Sequence, residues 1–127
     1  MAKILLIEPD RMLSETYVQA LVGAGNQVRV ARTAQAAIHA ADELAPDVVV
    51  LELQLVAHSG IEFLYELRSY ADWQKIPVII LSHVPPQEFN QSIDALKNRL
   101  GVRAYLYKPA TNLKTLLRAV EAVAAPV

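Results

Sequence analysis

Residues 46–54 read Pro46-Asp47-Val48-Val49-Val50-Leu51-Glu52-Leu53-Gln54, and Val48 to Leu53 is the most continuously apolar run in the 127-residue chain. Consecutive apolar positions predict a strand covered on both faces, as the middle strand of a parallel sheet is. Toward the amino terminus lie two more β-rich runs, Ile4 to Ile7 and Val28 to Ala31. The first leads into a helical segment from about Asp10 to Ala24, with Leu13, Tyr17 and Leu21 at four-residue spacing and Gly23 and Gly25 as a stop. The second leads to Thr33, a helix cap, and to an apolar face of Ala37, Ile38, Ala41 and Leu44 that Pro46 ends.

Toward the carboxyl terminus, Ser59 and Glu62 have capping-box spacing ahead of Ile61, Leu64 and Leu67. Ile76 to Leu81 is a fourth strand, and Pro85-Pro86 opens a helix whose stripe Phe89, Ile93, Leu96 and Leu100 ends at Gly101. Ala104 to Tyr107 is a fifth strand, followed by a helix facing inward through Leu113, Leu117, Val120 and Ala124, with Pro126 beyond its end. Five β-rich runs alternating with five helical ones predict an α/β fold, a doubly wound (βα)5 three-layer sandwich. Its parallel sheet takes the flavodoxin-like order 2-1-3-4-5.

Composition bounds the function. The length fits one domain over residues 1–127, and 54% apolar against 20% charged residues is a globular balance. A formal net charge of -1 gives no broad attraction for nucleic acid or an anionic membrane, so neither is expected as a partner. The absence of cysteine excludes thiol catalysis, disulfides and thiolate metal sites. No signal-peptide pattern follows Met1-Ala2-Lys3, and no apolar run approaches the roughly 18 residues that cross a membrane, so the expectation is a cytoplasmic protein.

In such sheets the working crevice lies beyond the carboxyl ends of the strands, near the switch between the first and third. There fall Glu8, Pro9 and Asp10, then Glu52 and Gln54, then Ser82 and His83, then Lys108 and Pro109. Acids, a hydroxyl and an ammonium converge on one crevice. No glycine-rich phosphate loop follows the first strand, where Pro9-Asp10-Arg11 stands, which argues against a small-ligand binder using the crevice, and Ser82 lacks the Gly-x-Ser-x-Gly setting of a hydrolase nucleophile. His58 and His83 are crevice-side loop residues without ligand-type spacing, and His39 is a helix-surface residue.

This order of residues resembles the receiver domains of two-component response regulators, the CheY-like family, from Lys3 to about Ala124. The stretch Ile4-Leu5-Leu6-Ile7-Glu8-Pro9-Asp10 matches the family's apolar strand and acidic pair, and Pro46 to Glu52 matches the strand that ends in its phosphoacceptor aspartate. Gly60 matches a glycine after that strand. The resemblance implies that Ser82 is the switch hydroxyl, Tyr105 the switch aromatic, and Lys108 the pocket lysine, with Pro109 following a cis peptide bond. It also implies an output face on the fourth helix, fifth strand and fifth helix, here carrying Asn90, Asp94, Lys97, Tyr105, Lys114 and Arg118.

Three positions depart from the family. Glu52 stands where it has aspartate, one methylene longer, and in-line phosphoryl transfer loses on the order of a hundredfold in rate for a misplacement of about 1 Å. Pro9 replaces the second acid of the pair and offers neither a side-chain oxygen nor an N–H, so magnesium would have to use Glu8, Glu52 and Gln54 or Asp10. Val56 replaces a loop proline. The expectation is an atypical pseudo-receiver, not an enzyme, that has lost or weakened magnesium binding. It would act through protein partners such as a histidine kinase or an output domain, with a homodimer left open because Val102-Arg103-Ala104 lacks the acids of many dimerising members. The alternative is a working phosphoacceptor that uses Glu52 or Asp10. For the pocket itself, an active-like arrangement and a plain satisfied ion cluster both remain open, and the Ser82 and Tyr105 side chains distinguish them.

Overall fold

The computed structural model describes residues 2–124. Five strands, β1 (Lys3–Ile7), β2 (Gln27–Ala31), β3 (Val48–Leu51), β4 (Val78–Ser82) and β5 (Val102–Tyr107), form one parallel sheet in the order β2-β1-β3-β4-β5. Between and after them run α1 (Arg11–Gly23), α2 (Ala34–Leu44), α3 (Gly60–Ser69), α4 (Ile93–Asn98) and α5 (Leu113–Ala124). Successive strand residues face opposite sides. Leu5, Ile7, Val49, Leu51, Val78 and Ile80 therefore pack on one face with α2, α3 and α4, while Ile4, Leu6, Val48, Val50, Ile79 and Leu81 pack on the other with Leu21 of α1 and Leu116 and Val120 of α5. The expected doubly wound fold and strand order are present. None of the described helices is long and apolar enough to cross a membrane.

The caps follow the sequence. Asp10 accepts the Leu13 N–H, Thr33 accepts the Ala36 N–H, and Ser59 and Glu62 complete a capping box. Gly60 is fixed by proximity: its N–H donates to the Leu53 carbonyl at 2.7 Å, and an added Cβ would lie 2.6 Å from the Leu53 Cα. The loop between β3 and α3 also holds Ala57 at φ 70°, a left-handed conformation that costs an alanine of order 1 kcal/mol.

Several boundaries differ from the sequence expectation. β3 stops at Leu51, because Glu52 turns its carboxylate back onto the N–H groups of the following loops. β4 starts at Val78, since Pro77 has no N–H for the ladder and the Ile76 carbonyl accepts from Arg68. The fourth helical segment is split: Pro86–Phe89 is a 3-10 turn, and Ser92, at φ -123° and ψ 14°, separates it from a short α4. β5 begins at Val102, with Arg103 accommodated at a register shift against Val78 and Ile79. On α5 the phase is corrected: Leu116 and Val120 are buried, whereas Leu113 is 39% exposed. Pro126 lies outside the described residues.

Arg68 ties three of these segments together. Its guanidinium donates to the carbonyls of Trp73 at 2.6 Å, Ile76 at 2.6 Å and Leu100 at 2.8 and 3.0 Å. Burial pulls its pKa below the ordinary arginine value.

Candidate functional site at the carboxyl edge of the sheet

Parallel register levels the strand ends. Ile7 pairs with Leu51 and with Ala31, so the next residues, Glu8 and Glu52, emerge side by side. Ser82 pairs with Tyr107, which brings Ser82 level with the residue before Lys108. Glu8, Glu52 and Ser82 are each at most 3% exposed, and the Lys108 side chain is 5% exposed.

The Lys108 ammonium bridges the two acids, with Nζ 2.5 Å from Glu8 Oε1 and 2.6 Å from Glu52 Oε1. Glu52 accepts four hydrogen bonds in all. Oε1 takes Lys108 and the His83 N–H at 3.3 Å, and Oε2 takes the Gln54 N–H at 3.0 Å and the Ser82 hydroxyl. Burial pushes the Glu52 carboxyl up, but Lys108, Ser82 and the Gln54 amide outweigh it and hold it below the usual glutamate value. Burial also pulls Lys108 down, and its bonds to Glu52 and Glu8 reverse that and hold it above the ordinary lysine value. Two carboxylates and one ammonium leave this cluster with a formal charge of one negative.

A polar chain continues outward. The Ser82 hydroxyl oxygen accepts the Val84 N–H at 3.0 Å, and the Tyr105 hydroxyl donates to the Val84 carbonyl at 2.6 Å. Tyr105 is half-buried, its ring centroid 6.1 Å from that of Phe89. Burial, with Glu52 and Glu88 adding to it, pushes its phenol up to about 12, so it is a neutral donor.

The structure thus brings together Glu8, Glu52, Ser82 and Lys108 directly, with Tyr105 joined through Val84. Asp10 stands apart: it is exposed, its carboxylate caps α1, and only its N–H reaches the cluster, donating to Glu8 Oε2 at 3.1 Å. Gln54 is exposed and meets Glu52 through its backbone alone. Pro109 sits in the 3-10 turn Lys108–Ala110, closed by the Thr111 N–H on the Lys108 carbonyl. The cis bond that the resemblance implied before Pro109 is not found, since every described peptide is trans. His58 lies 3.7 Å from Glu62 on the surface, and among the described residues no group of three or more His, Asp or Glu side chains is arranged to hold a metal. The sequence reading missed the backbone donors of Gln54, His83 and Val84, for which side-chain identity carries no signal.

A family model described as "Response regulator receiver domain" matches residues 4–121. The chain belongs to the response regulator receiver domain family. This receiver domain is similar to the KDP operon transcriptional regulatory protein KdpE of Escherichia coli (strain K12), with 33% identity over 132 residues, 99% of this chain and 56% of the relative. It is also 33% identical over 109 residues to a protein-glutamate methylesterase/protein-glutamine glutaminase of Treponema denticola, covering 84% of this chain and 28% of that protein. The chain thus spans 56% or less of the length of these two relatives. Among solved structures, the chemotaxis response regulator CheY4 of Vibrio cholerae superposes with a TM-score of 0.84 at 25% identity, covering 97% of this chain and 98% of its own. The non-phosphorylated HemR receiver domain from Leptospira biflexa does so with a TM-score of 0.83 at 26% identity, covering 100% and 97%. It is a two-component receiver domain of signal transduction.

Proposed function

We propose that this receiver domain signals through protein contacts without a phosphoryl group on Glu52, held in an active-like arrangement by Glu52 itself. The observation that carries the reading is the saturated Glu52 carboxylate. A nucleophilic oxygen needs a free lone pair, and both Glu52 oxygens already accept two hydrogen bonds each. The active-like reading is favoured over a plain ion cluster by Ser82, whose hydroxyl is drawn onto the acid, and by Tyr105, whose hydroxyl is turned in to Val84. A glutamate carries one charge where a phosphoryl group adds about 1.5 to 2, so the imitation is partial.

The residues present do not suit magnesium. That ion needs near-octahedral oxygens at about 2.0–2.1 Å, whereas the Lys108 ammonium already bridges the Glu8 and Glu52 oxygens that would be its ligands. Pro9 adds no side-chain oxygen, and Asp10 is committed to its helix cap.

The output surface in this reading is α4 with the turn before it, β5 and α5, where Asn90, Asp94, Lys97, Lys114 and Arg118 are exposed beside Tyr105. Its partner is a protein of the same pathway, a histidine kinase or an output domain, and the chain itself is no enzyme. Intact-mass analysis after incubation with acetyl phosphate and magnesium tests the central claim: the expected spectrum is that of the unmodified chain. A stoichiometric phosphoryl adduct would refute it and restore Glu52 or Asp10 as a phosphoacceptor.

A further inference from the structure

A cleft of about 430 Å³ opens between α1 and the start of α5, beside Lys108. Its walls are mainly apolar, with Leu13, Leu81, Leu113 and Leu116 among the lining residues, and its volume falls in the range of small-molecule sites, about 300–1,000 Å³. Leu113 is the residue whose sequence pattern predicted burial and which instead stands 39% exposed, and it lines this cleft. Five polar residues line it as well: Tyr17, His83, Lys108, Thr111 and Asn112. Two of the three Lys108 N–H bonds are committed to Glu8 and Glu52, and the third has no acceptor among the described residues. The Tyr17 hydroxyl likewise has no hydrogen-bond partner among them, and burial raises its pKa, so it is a neutral donor.

We propose that this cleft binds a neutral, largely apolar small molecule bearing an acceptor oxygen, which takes the remaining Lys108 N–H. Charge selects the ligand class. The Glu8–Lys108–Glu52 cluster is formally negative by one unit, which disfavours a carboxylate or phosphate, and the ammonium and phenol offer protons, which disfavours a cation. A ketone, ester or alcohol on an apolar body meets both conditions. Because the same ammonium holds Glu52, such a ligand would be an input to the site where phosphate is not. That regulatory role rests on the reading given under Proposed function, whereas the binding itself does not. A phosphoryl adduct in the mass experiment would remove the role and leave the binding test untouched.

The test is a titration of the 15N-labelled whole chain, followed by amide NMR shifts, with acetophenone, ethylbenzene and benzoate as probes. Acetophenone is expected to give saturable shifts at Leu13, Tyr17, His83, Thr111 and Asn112. Ethylbenzene, the same shape without the acceptor, is expected to bind about tenfold more weakly, the equivalent of one hydrogen bond, and benzoate more weakly than the ketone. Leu113→Trp, at an exposed position that tolerates the larger ring, is expected to fill the cleft and abolish the shifts. Equal responses to ketone and hydrocarbon, a preference for benzoate, shifts elsewhere on the surface or shifts that persist in Leu113→Trp would overturn the proposal. So would movement of the same resonances on dilution of the protein alone, which would assign the cleft to a second copy of the chain.

Discussion

Lys108, with its side chain buried, and the half-buried Arg68 are cations held in opposite ways. Lys108 is clasped by the carboxylates of Glu8 and Glu52, while Arg68 is clasped by the carbonyls of Trp73, Ile76 and Leu100 and forms no ion pair among the described residues. The first has its pKa raised and the second lowered. A formal charge neutralises another formal charge in one case, and backbone dipoles solvate it in the other. Oppositely charged groups can be titrated apart, whereas carbonyl dipoles cannot. The Lys108 cluster therefore suits a site that responds to its surroundings, and the Arg68 clamp suits a fixed joint.

The largest expected effect comes from Lys108→Met, which leaves Glu8 and Glu52 buried without their counter-ion. Breaking a buried pair in this way costs about 3–5 kcal/mol, read by urea unfolding at neutral pH. The pH dependence has a definite sign. Glu52 is held below its ordinary value of 4.5, so its stabilisation is present above 4.5 and is lost as pH falls through the depressed folded value. Lys108 is held above its ordinary 10.5, so its share is present below 10.5 and is lost as pH rises through the raised folded value. The wild-type chain should show a stability plateau between those limits, and the deficit of Lys108→Met should shrink on acidification as the carboxylates take up protons. A deficit that stays constant down to pH 3 would mean that the cluster contributes packing and little charge.

Arg68→Leu should cost somewhat less, about 2–3 kcal/mol, from carbonyls left without donors. The same unfolding curves should show this loss unchanged between pH 3 and pH 8, in contrast to Lys108→Met. A smaller effect is expected for Gly101→Ala. Gly101 sits at φ 68° with the Arg68 guanidinium against it, so an added Cβ is both strained and crowded, at about 1–2 kcal/mol. In the Arg68→Leu background the crowding is relieved and only the backbone strain should remain, a non-additivity that a double-mutant cycle measures.

Much of this was readable in advance because parallel strands and pocket residues announce themselves through side chains. Val48 to Leu51 could only be an interior strand, and Glu8, Glu52, Ser82 and Lys108 each follow or end such a run, so register alone assembles them. What escaped was governed by backbone or by degenerate patterns. Leu113, Leu116, Leu117 and Val120 allow two apolar stripes on α5, and only contact with Ile79 and Leu81 selects the one through Leu116. An aspartate after a strand can enter a crevice or cap a helix, and Asp10 caps. The saturation of Glu52 depends on the N–H groups of Gln54 and His83, which every residue but proline has.

The Arg68 clamp has one more effect. It grips Ile76, where the chain enters β4, and Leu100, where it leaves α4, so the stretch between them is a noose drawn tight at its neck by a single guanidinium. Opening of α4 and the turn before it can then proceed inside the noose while the knot protects the sheet edges. Amide exchange across Pro86–Asn98 should accordingly run ahead of exchange in β4 and β5.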